Sequence, residues 1–390
     1  WSATGHWSAT GHWSATGHWS ATGHWSATGH WSATGHWSAT GHRSATGHRS
    51  PRGPTTSQRT TAGTAAPKTQ TARQGLVVAV GREEASRTSG KDAMNHVTDA
   101  TNGQAVAAQY ERVQIIDHRP IATGTWRIRL EWSSVAKAVR PGQFAMVRIP
   151  ERTDPLLARP LAIYDVFSGP DGEPLFVDFI YAVHGRFTQA LAGMPVGADL
   201  VAWGPLGNGF ELPPTDRLLL VAGGIGQTAL LALAREGLGR ARYGSPDRDV
   251  FPAGQVTFCW GASSADLFGD LDDFRQAGCD VHLATLDGSA GTRGTVIDLL
   301  DAMSAAGLLP KSSGMVVATC GPEPMMAAVA AWAAARELPC QASLETPMAC
   351  GVGICFTCVA AIKDDAGGWD YRRTCLEGPI FDAARVAWHA

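Results

Sequence analysis

Four cysteines near the carboxyl end have the spacing to do one-electron chemistry. Cys350, Cys355 and Cys358 stand in Met348-Ala-Cys-Gly-Val-Gly-Ile-Cys-Phe-Thr-Cys358, and Cys375 follows after sixteen intervening residues. The run C-x4-C-x2-C with a distant fourth Cys is the plant-type pattern whose thiolates hold a [2Fe–2S] cluster. Gly351 and Gly353 suit such a loop, because backbone bending round inorganic sulfide needs positions free of side chains. Two other uses fit less well. Disulfides belong to exported chains, and no export signal is read here. A structural zinc commonly takes two close cysteine pairs, and only one is present. Cys259, Cys279, Cys320 and Cys340 lie outside the set, and Cys259, in an apolar run, reads as a small core residue.

A second constellation is a glycine turn. Gly223, Gly224 and Gly226 follow the apolar run Leu218-Leu-Leu-Val-Ala222 and precede a helical stretch at Thr228–Glu236. Gly224-Ile-Gly226-Gln-Thr-Ala229 fits G-x-G-x-x-A, in which bare backbone lets a diphosphate approach the N–H groups of a helix start. Any tight strand-to-helix turn also favours glycine, so both readings stand. Val316-Val-Ala-Thr-Cys320-Gly-Pro is a further buried strand ending in a tight turn. Ligands of open α/β sheets bind at such carboxyl ends, which nominates Cys320 as a catalytic-site residue. After the next strand, Gly261-Ala-Ser-Ser-Ala-Asp266 offers no cation for a 2′-phosphate, which favours NAD over NADP.

The elements that must position these groups divide the chain. Residues 1–42 are seven copies of Trp-Ser-Ala-Thr-Gly-His, and Arg43–His48 is an eighth with Arg for Trp. A period of six is also that of a β-helix, but those stack aliphatic side chains inward and this unit has none. Together with the Thr-, Ala- and Arg-rich stretch that follows, residues 1–107 read as a repetitive, unfolded segment, and Met94 as a possible true start. Residues 108–213 carry short β-rich runs at Arg112–Ile116, Thr125–Trp132, Phe144–Ile149 and Leu175–Val183, separated by Gly/Pro turns, which imply a barrel or sandwich. Residues 214–340 alternate apolar strands with helices, including a helix at Pro324–Arg336, and imply a parallel α/β sheet. Residues 341–390 form a small cysteine-bearing unit. About 300 residues after Met94 exceed what one core usually holds, in keeping with several domains. The net charge of −3, without a strong basic cluster after Met94, argues against nucleic acid as a partner. No run of about twenty apolar residues is present to span a membrane. Free cysteines and the absence of an export signal point to the cytoplasm.

These residues resemble the ferredoxin-reductase-like family over roughly Tyr110–Phe381, and most closely its members that serve as electron-transfer subunits of NAD-dependent dihydroorotate dehydrogenases. The resemblance rests on Pro141-Gly-Gln-Phe144, Arg159-Pro160-Leu161-Ala162, Ile180-Tyr181-Ala182 with Gly185-Arg-Phe187-Thr188, and Gly204-Pro-Leu-Gly-Asn-Gly-Phe210. Gly223-Gly-Ile-Gly226, Cys320-Gly-Pro322, Ser343-Leu-Glu345 and Cys375-Leu-Glu-Gly-Pro-Ile-Phe381 complete it. It implies a multidomain β plus α/β protein with an FAD-binding β-barrel, a parallel α/β nicotinamide-binding domain and a small C-terminal [2Fe–2S] domain. It also implies that Arg159 to Ala162, Ile180 to Ala182, Phe187 and Thr188 bind FAD, with Arg159 holding flavin or diphosphate charge, Tyr181 packing along the flavin and Thr188 donating to a diphosphate oxygen. Gly223, Gly224 and Gly226 would face NAD. The family usually has Ser or Thr at the position of Ala162 and Gly at that of Phe187, so the diphosphate contacts should differ here. The implied activity passes electrons singly from an FMN-containing catalytic subunit, in a heterotetramer, through the cluster to FAD, and as hydride to NAD+. Two other readings are a related flavin/iron–sulfur subunit of a hydrogenase, sulfite reductase or transhydrogenase complex, and a non-enzymatic cluster carrier or redox sensor.

Overall fold

The computed structural model describes residues 108–244, 250–309 and 314–388, together with the backbone of short strands in the amino-terminal repeats. Those strands run from Ser2–Thr4 to Arg43–Thr46, and each pairs in parallel with the strand three repeats along, as Trp7–Thr10 does with Trp25–Thr28. Identical six-residue units let like residues pair in register. The rest of the expected 1–107 segment, Met94 included, lies outside the described residues.

Six antiparallel strands close a barrel. They are β1 (Gln109–Ala122), β2 (Thr125–Glu131), β3 (Phe144–Arg148), β4 (Arg159–Ser168), β5 (Pro174–Ala182) and β6 (Asp199–Leu206), joined in the order β2-β5-β4-β3-β6-β1. Val113, Ile115, Ile128, Leu130, Val177 and Phe179 meet in its core. Two short helices cover it, α1 (Ser133–Ala138) and α2 (Arg186–Ala192). The alternation of β2 and the apolar runs of β3 and β5 make those strands legible. By contrast, β4 opens on Arg-Pro with Asp165 inside it, and β6 contains Gly-Pro, residue types that strands disfavour.

The second sheet has seven strands. In chain order they are β7 (Arg217–Gly223), β8 (Gln255–Ala262), β9 (Asp280–Thr285), β10 (Thr292–Arg293), β11 (Met315–Cys320), β12 (Cys340–Ser343) and, after a hairpin of β13 (Val359–Lys363) and β14 (Trp369–Arg373), β15 (Ile380–Asp382). The order across the sheet is β10-β9-β8-β7-β11-β12-β15. All pairs are parallel except the last, where β15 runs antiparallel to β12. Leu218–Ala222 of β7 and Met315–Cys320 of β11 are buried throughout, as central parallel strands must be. Helices α3 (Leu231–Gly237), α4 (Leu271–Ala277), α5 (Val296–Ala305) and α6 (Glu323–Ala334) pack on the sheet. A 3-10 turn at Gly224–Ala229 replaces the first part of the helix expected at Thr228. The boundary expected at residue 340 falls inside β12, because the cysteine segment supplies both outer strands on that side. Cys259 is fully buried in this core, which pushes its thiol up to about 12.

Candidate functional site

Barrel, sheet and cysteine segment meet around one cleft of about 910 Å³, toward the upper end of the usual size for ligand sites. Arg159, Pro160, Leu161, Ala162, Ile180, Tyr181, Ala182, Phe187 and Thr188 all line it, with Cys320 from the sheet and Met348, Ala349 and Thr357 from beside the cysteines. Arg159 donates from Nη1 to the carbonyls of Leu157 and Ala158 at 3.2 and 3.1 Å, contacts that hold the guanidinium without neutralising it. Thr188 is engaged locally. Its hydroxyl accepts from the N–H groups of His184 and Gly185 at 2.9 and 3.1 Å and donates to the Gly185 carbonyl at 3.2 Å. The proton expected to reach a diphosphate is therefore used in shaping the turn that starts α2. Phe187 lies within that helix with its ring buried in the barrel core, and its backbone is not left-handed. The glycine usual at this position is thus not required.

Tyr181 is buried, and burial raises its phenol well above the ordinary range. His118 holds it, with Nε2 at 2.7 Å from the phenol oxygen and Nδ1 at 2.9 Å from the Met194 carbonyl. A carbonyl only accepts, so neutral His118 carries its hydrogen on Nδ1 and its Nε2 accepts the Tyr181 proton.

On the sheet side the glycines divide by role. A Cβ on Gly226 would lie 2.1 Å from the Cys320 carbonyl oxygen, and one on Gly223 would lie 2.4 Å from Met325 Sδ. Both are small so that the turns after β7 and β11 can interlock. Gly224, at φ +53°, faces open space: a Cβ there would meet no atom within 4 Å. Of this turn only Ile225, Thr228 and Ala229 line the cleft. Cys320 is 2% exposed; burial, and after it the nearby Glu345, raise its thiol, while Ser343 beside it works the other way. A thiol kept protonated is a weak nucleophile. Beyond β8, exposed Asp266 is held below the usual carboxylate range by the Ser264 hydroxyl.

The four cysteines stand in two close pairs, Cys350 with Cys355 and Cys358 with Cys375, next in the chain to the cleft-lining Met348, Ala349 and Thr357. Cys358 and Cys375 are buried with their sulfurs 3.1 Å apart, Cys350 is half-buried and Cys355 is exposed. The Val352 N–H points at Cys350 Sγ at 3.4 Å, and the Thr357 hydroxyl lies 3.1 Å from Cys355 Sγ. That hydroxyl is the largest cause pulling the Cys355 thiol down to about 6, whereas burial pushes Cys375 up to about 12. The loop cannot carry side chains at two points. Gly351 (φ +72°) would bring a Cβ within 2.5 Å of Met146 Cγ, and Gly353 (φ +80°) within 2.2 Å of Leu376 Cδ1. Among the described residues no three His, Cys, Asp or Glu side chains converge on a single-ion position. An all-sulfur donor set on bare, N–H-rich backbone fits a cluster that spreads its ligands over two irons.

Residues 345–387 match the iron–sulfur cluster binding domain of dihydroorotate dehydrogenase B. Over 279 residues the chain is 37% identical to the "Dihydroorotate dehydrogenase B (NAD(+)), electron transfer subunit" of Shouchella clausii, covering 70% of this chain and 97% of that one. The chain belongs to this family. The subunit of the same name from Geobacillus kaustophilus is 35% identical over 279 residues, covering 71% and 98%. The fold also matches a solved structure described as giving "insights into flavin-based electron bifurcation via the NADH-dependent reduced ferredoxin-NADP oxidoreductase structure". The TM-score is 0.58 at 27% identity, over 71% of this chain and 90% of that one.

Within this family frame, two residues of the site have no clear mark in the sequence. His118 is one, since its role depends on a partner 63 residues away. Glu345 is the other. It belongs to the Ser343-Leu-Glu345 motif without a role of its own there, yet it lines the cleft, solvent-exposed there, with its carboxyl raised by the protein packed around it. Its position shortly before the cysteine run is the available signal.

Proposed function

We propose that this chain carries electrons from an FMN-containing dihydroorotate dehydrogenase subunit to NAD+ in pyrimidine synthesis, using a [2Fe–2S] cluster on Cys350, Cys355, Cys358 and Cys375 and an FAD in the cleft. The observation that carries this reading is the shared cleft, where barrel residues, Cys320 and the residues flanking the cysteines line one cavity. A flavin there supplies the exchange between single electrons and the hydride of NAD(H). Arg159 would hold flavin or diphosphate charge with its forked donors. Tyr181, fixed by His118, would offer its ring to the flavin. Gly224 would admit the nicotinamide nucleotide close to backbone, with Asp266 disfavouring NADP. The assembly with the catalytic subunit is taken as a cytoplasmic heterotetramer, acting on neither nucleic acid nor membrane. No helix of the described residues is long and apolar enough to cross a membrane.

The full chain co-purified with an FMN-containing catalytic subunit is expected to reduce NAD+ with dihydroorotate. Replacing Cys355→Ser should abolish that activity and the cluster's visible absorbance while the flavin stays bound. A complex holding both cofactors yet inert toward dihydroorotate would overturn the reading. It would favour a related subunit serving a hydrogenase, sulfite reductase or transhydrogenase, a reading supported by the likeness to the NADH-dependent ferredoxin–NADP oxidoreductase. A chain with iron but no NADH–dye reductase activity would instead be a cluster carrier or redox sensor.

A further inference from the structure

The run Gly204-Pro-Leu-Gly-Asn-Gly-Phe210, where β6 leaves the barrel, supplies no residue to the cleft lining among those described. Its neighbours are instead the two limbs of the cysteine segment. Trp203, just before the run, donates from Nε1 to the Cys350 carbonyl at 3.0 Å and stacks on Tyr110 at 5.8 Å between ring centroids. Asn208 grips the other limb. Its Nδ2 donates to the carbonyls of Ile380 at 2.8 Å and Glu377 at 3.3 Å, and its Oδ1 accepts from the Ile380 N–H at 2.9 Å. Its own backbone N–H donates to the Gly378 carbonyl at 2.7 Å. A Cβ on Gly207 would lie 2.5 Å from Pro379 Cδ, so the strands approach as closely as backbone allows. Beneath these contacts Phe144, Met146 and Leu206 of the barrel share an apolar cluster with Cys358 and Cys375.

We propose that Trp203 and Asn208 are positioning residues that fix both limbs of the four-cysteine segment on the barrel, so that the chain itself sets the distance from cluster to flavin. The proposal rests on the functional reading above. One carboxamide serves a peptide N–H and two carbonyls of the distant limb, and an apolar residue of the same size would leave those groups without partners. The indole N–H does the same for the first limb. Neither residue touches the cleft, so their loss acts on cluster position and not on flavin or nucleotide binding.

The test uses the full chain with its flavin and iron, comparing wild type with the Trp203→Phe, Asn208→Leu double variant. NADH should reduce the flavin at the wild-type rate. Onward reduction of the iron–sulfur absorbance should slow by at least about tenfold, the scale of loss that sub-ångström to ångström misplacement produces at reacting centres. The electron paramagnetic resonance signal of the reduced cluster should broaden. A second measurement covers the case in which the variant fails to load. In the metal-free chain, amides of residues 375–382 should exchange at least about tenfold faster in the variant, as expected on losing one or two hydrogen bonds, with β1 and β2 unchanged. A wild-type onward rate and line shape would overturn the proposal, as would wild-type exchange at 375–382 in a variant that does not load. A wild-type chain that binds neither iron nor flavin would sink the functional reading instead, and the exchange measurement would still decide the clamp.

Discussion

At the scale of single residues, the cleft mixes groups whose roles their surroundings decide. Cys320 and Glu345 both line it, one a buried thiol and the other the carboxyl of a solvent-exposed residue, raised by the protein packed around it. The sign of the effect on stability follows from that direction. A carboxyl that binds its proton more tightly in the folded chain than in the unfolded one stabilises the fold at acid pH, and this contribution is lost as pH rises through the raised value. A Glu345→Gln variant is a permanent mimic of the protonated form. It should melt at the same temperature as wild type near pH 4.5 and at a slightly higher one near pH 7.5, a small gap because solvent screens an exposed carboxyl, as read from paired thermal scans. Equal melting at both pH values would mean that the carboxyl ionises freely at the cleft surface. Of the flavin residues nominated by motif, all lie on the cleft wall, but Thr188 and Phe187 stand there as framework and not as donors. A motif records which residue types occur together and is silent about which hydrogen each one spends locally.

At the scale of elements, the barrel and the nucleotide sheet are joined by buried charge. Arg127 of β2 meets Asp178 of β5 at 2.7 Å, and Asp270 and Asp273 at the start of α4 at 2.6 and 2.7 Å. Tyr164 of β4 adds a bond to Asp273 at 3.1 Å. Burial works against the charge on Arg127, and the three carboxylates more than offset it, so the guanidinium is held ionised. Removing it leaves Asp178 with Arg129 and Asp270 with Arg119, while Asp273 keeps the Tyr164 hydroxyl but loses the guanidinium that bound all three. The Arg127→Met variant should lose about 3–5 kcal/mol, the usual cost of breaking a buried ion pair from one side. Lys should not restore it, because its three donors sit on one nitrogen and cannot span the positions that Nε, Nη1 and Nη2 of Arg127 reach. Urea midpoints of wild type and both variants check this; a loss below about 1 kcal/mol would make the network a surface ion pair in effect. Nothing local in the sequence announces the network. Arg127 stands in a strand whose alternation was legible, but the alternation places it as a solvent-facing residue, and its partners lie 51 to 146 positions away. Strands β4 and β6 were illegible for a related reason, since Pro, Gly and Asp in them serve the cleft and the domain contacts at the expense of strand propensity.

At the scale of the whole molecule, three modules that composition separates are built into one another. The cysteines, four of the barrel strands and the central parallel strands were legible as parts, and their order along the chain followed from where periodicity changes. Their joints were not legible, because a joint is made by long-range pairs with no period. The cysteine segment does not hang from the sheet by a tether. Its β15 pairs with β12 as the outermost strand, and its Ile380 is bonded to Asn208 of the barrel exit. A chain ending at residue 344 should therefore be damaged well beyond the loss of its cluster. It gives up the β15 edge, the bonds to Asn208 and the apolar cluster under Met146, a loss of several hydrogen bonds and buried side chains. Its melting temperature should fall by about 10 °C, as a few kcal/mol lowers it in a protein of this size. The cleft loses Glu345, Met348, Ala349 and Thr357 from its wall, so on the proposed function FAD should bind more weakly. If the truncated chain kept the wild-type melting temperature and flavin affinity, the cysteine unit would be an independent domain, and the distance from cluster to flavin would have to be set by a linker.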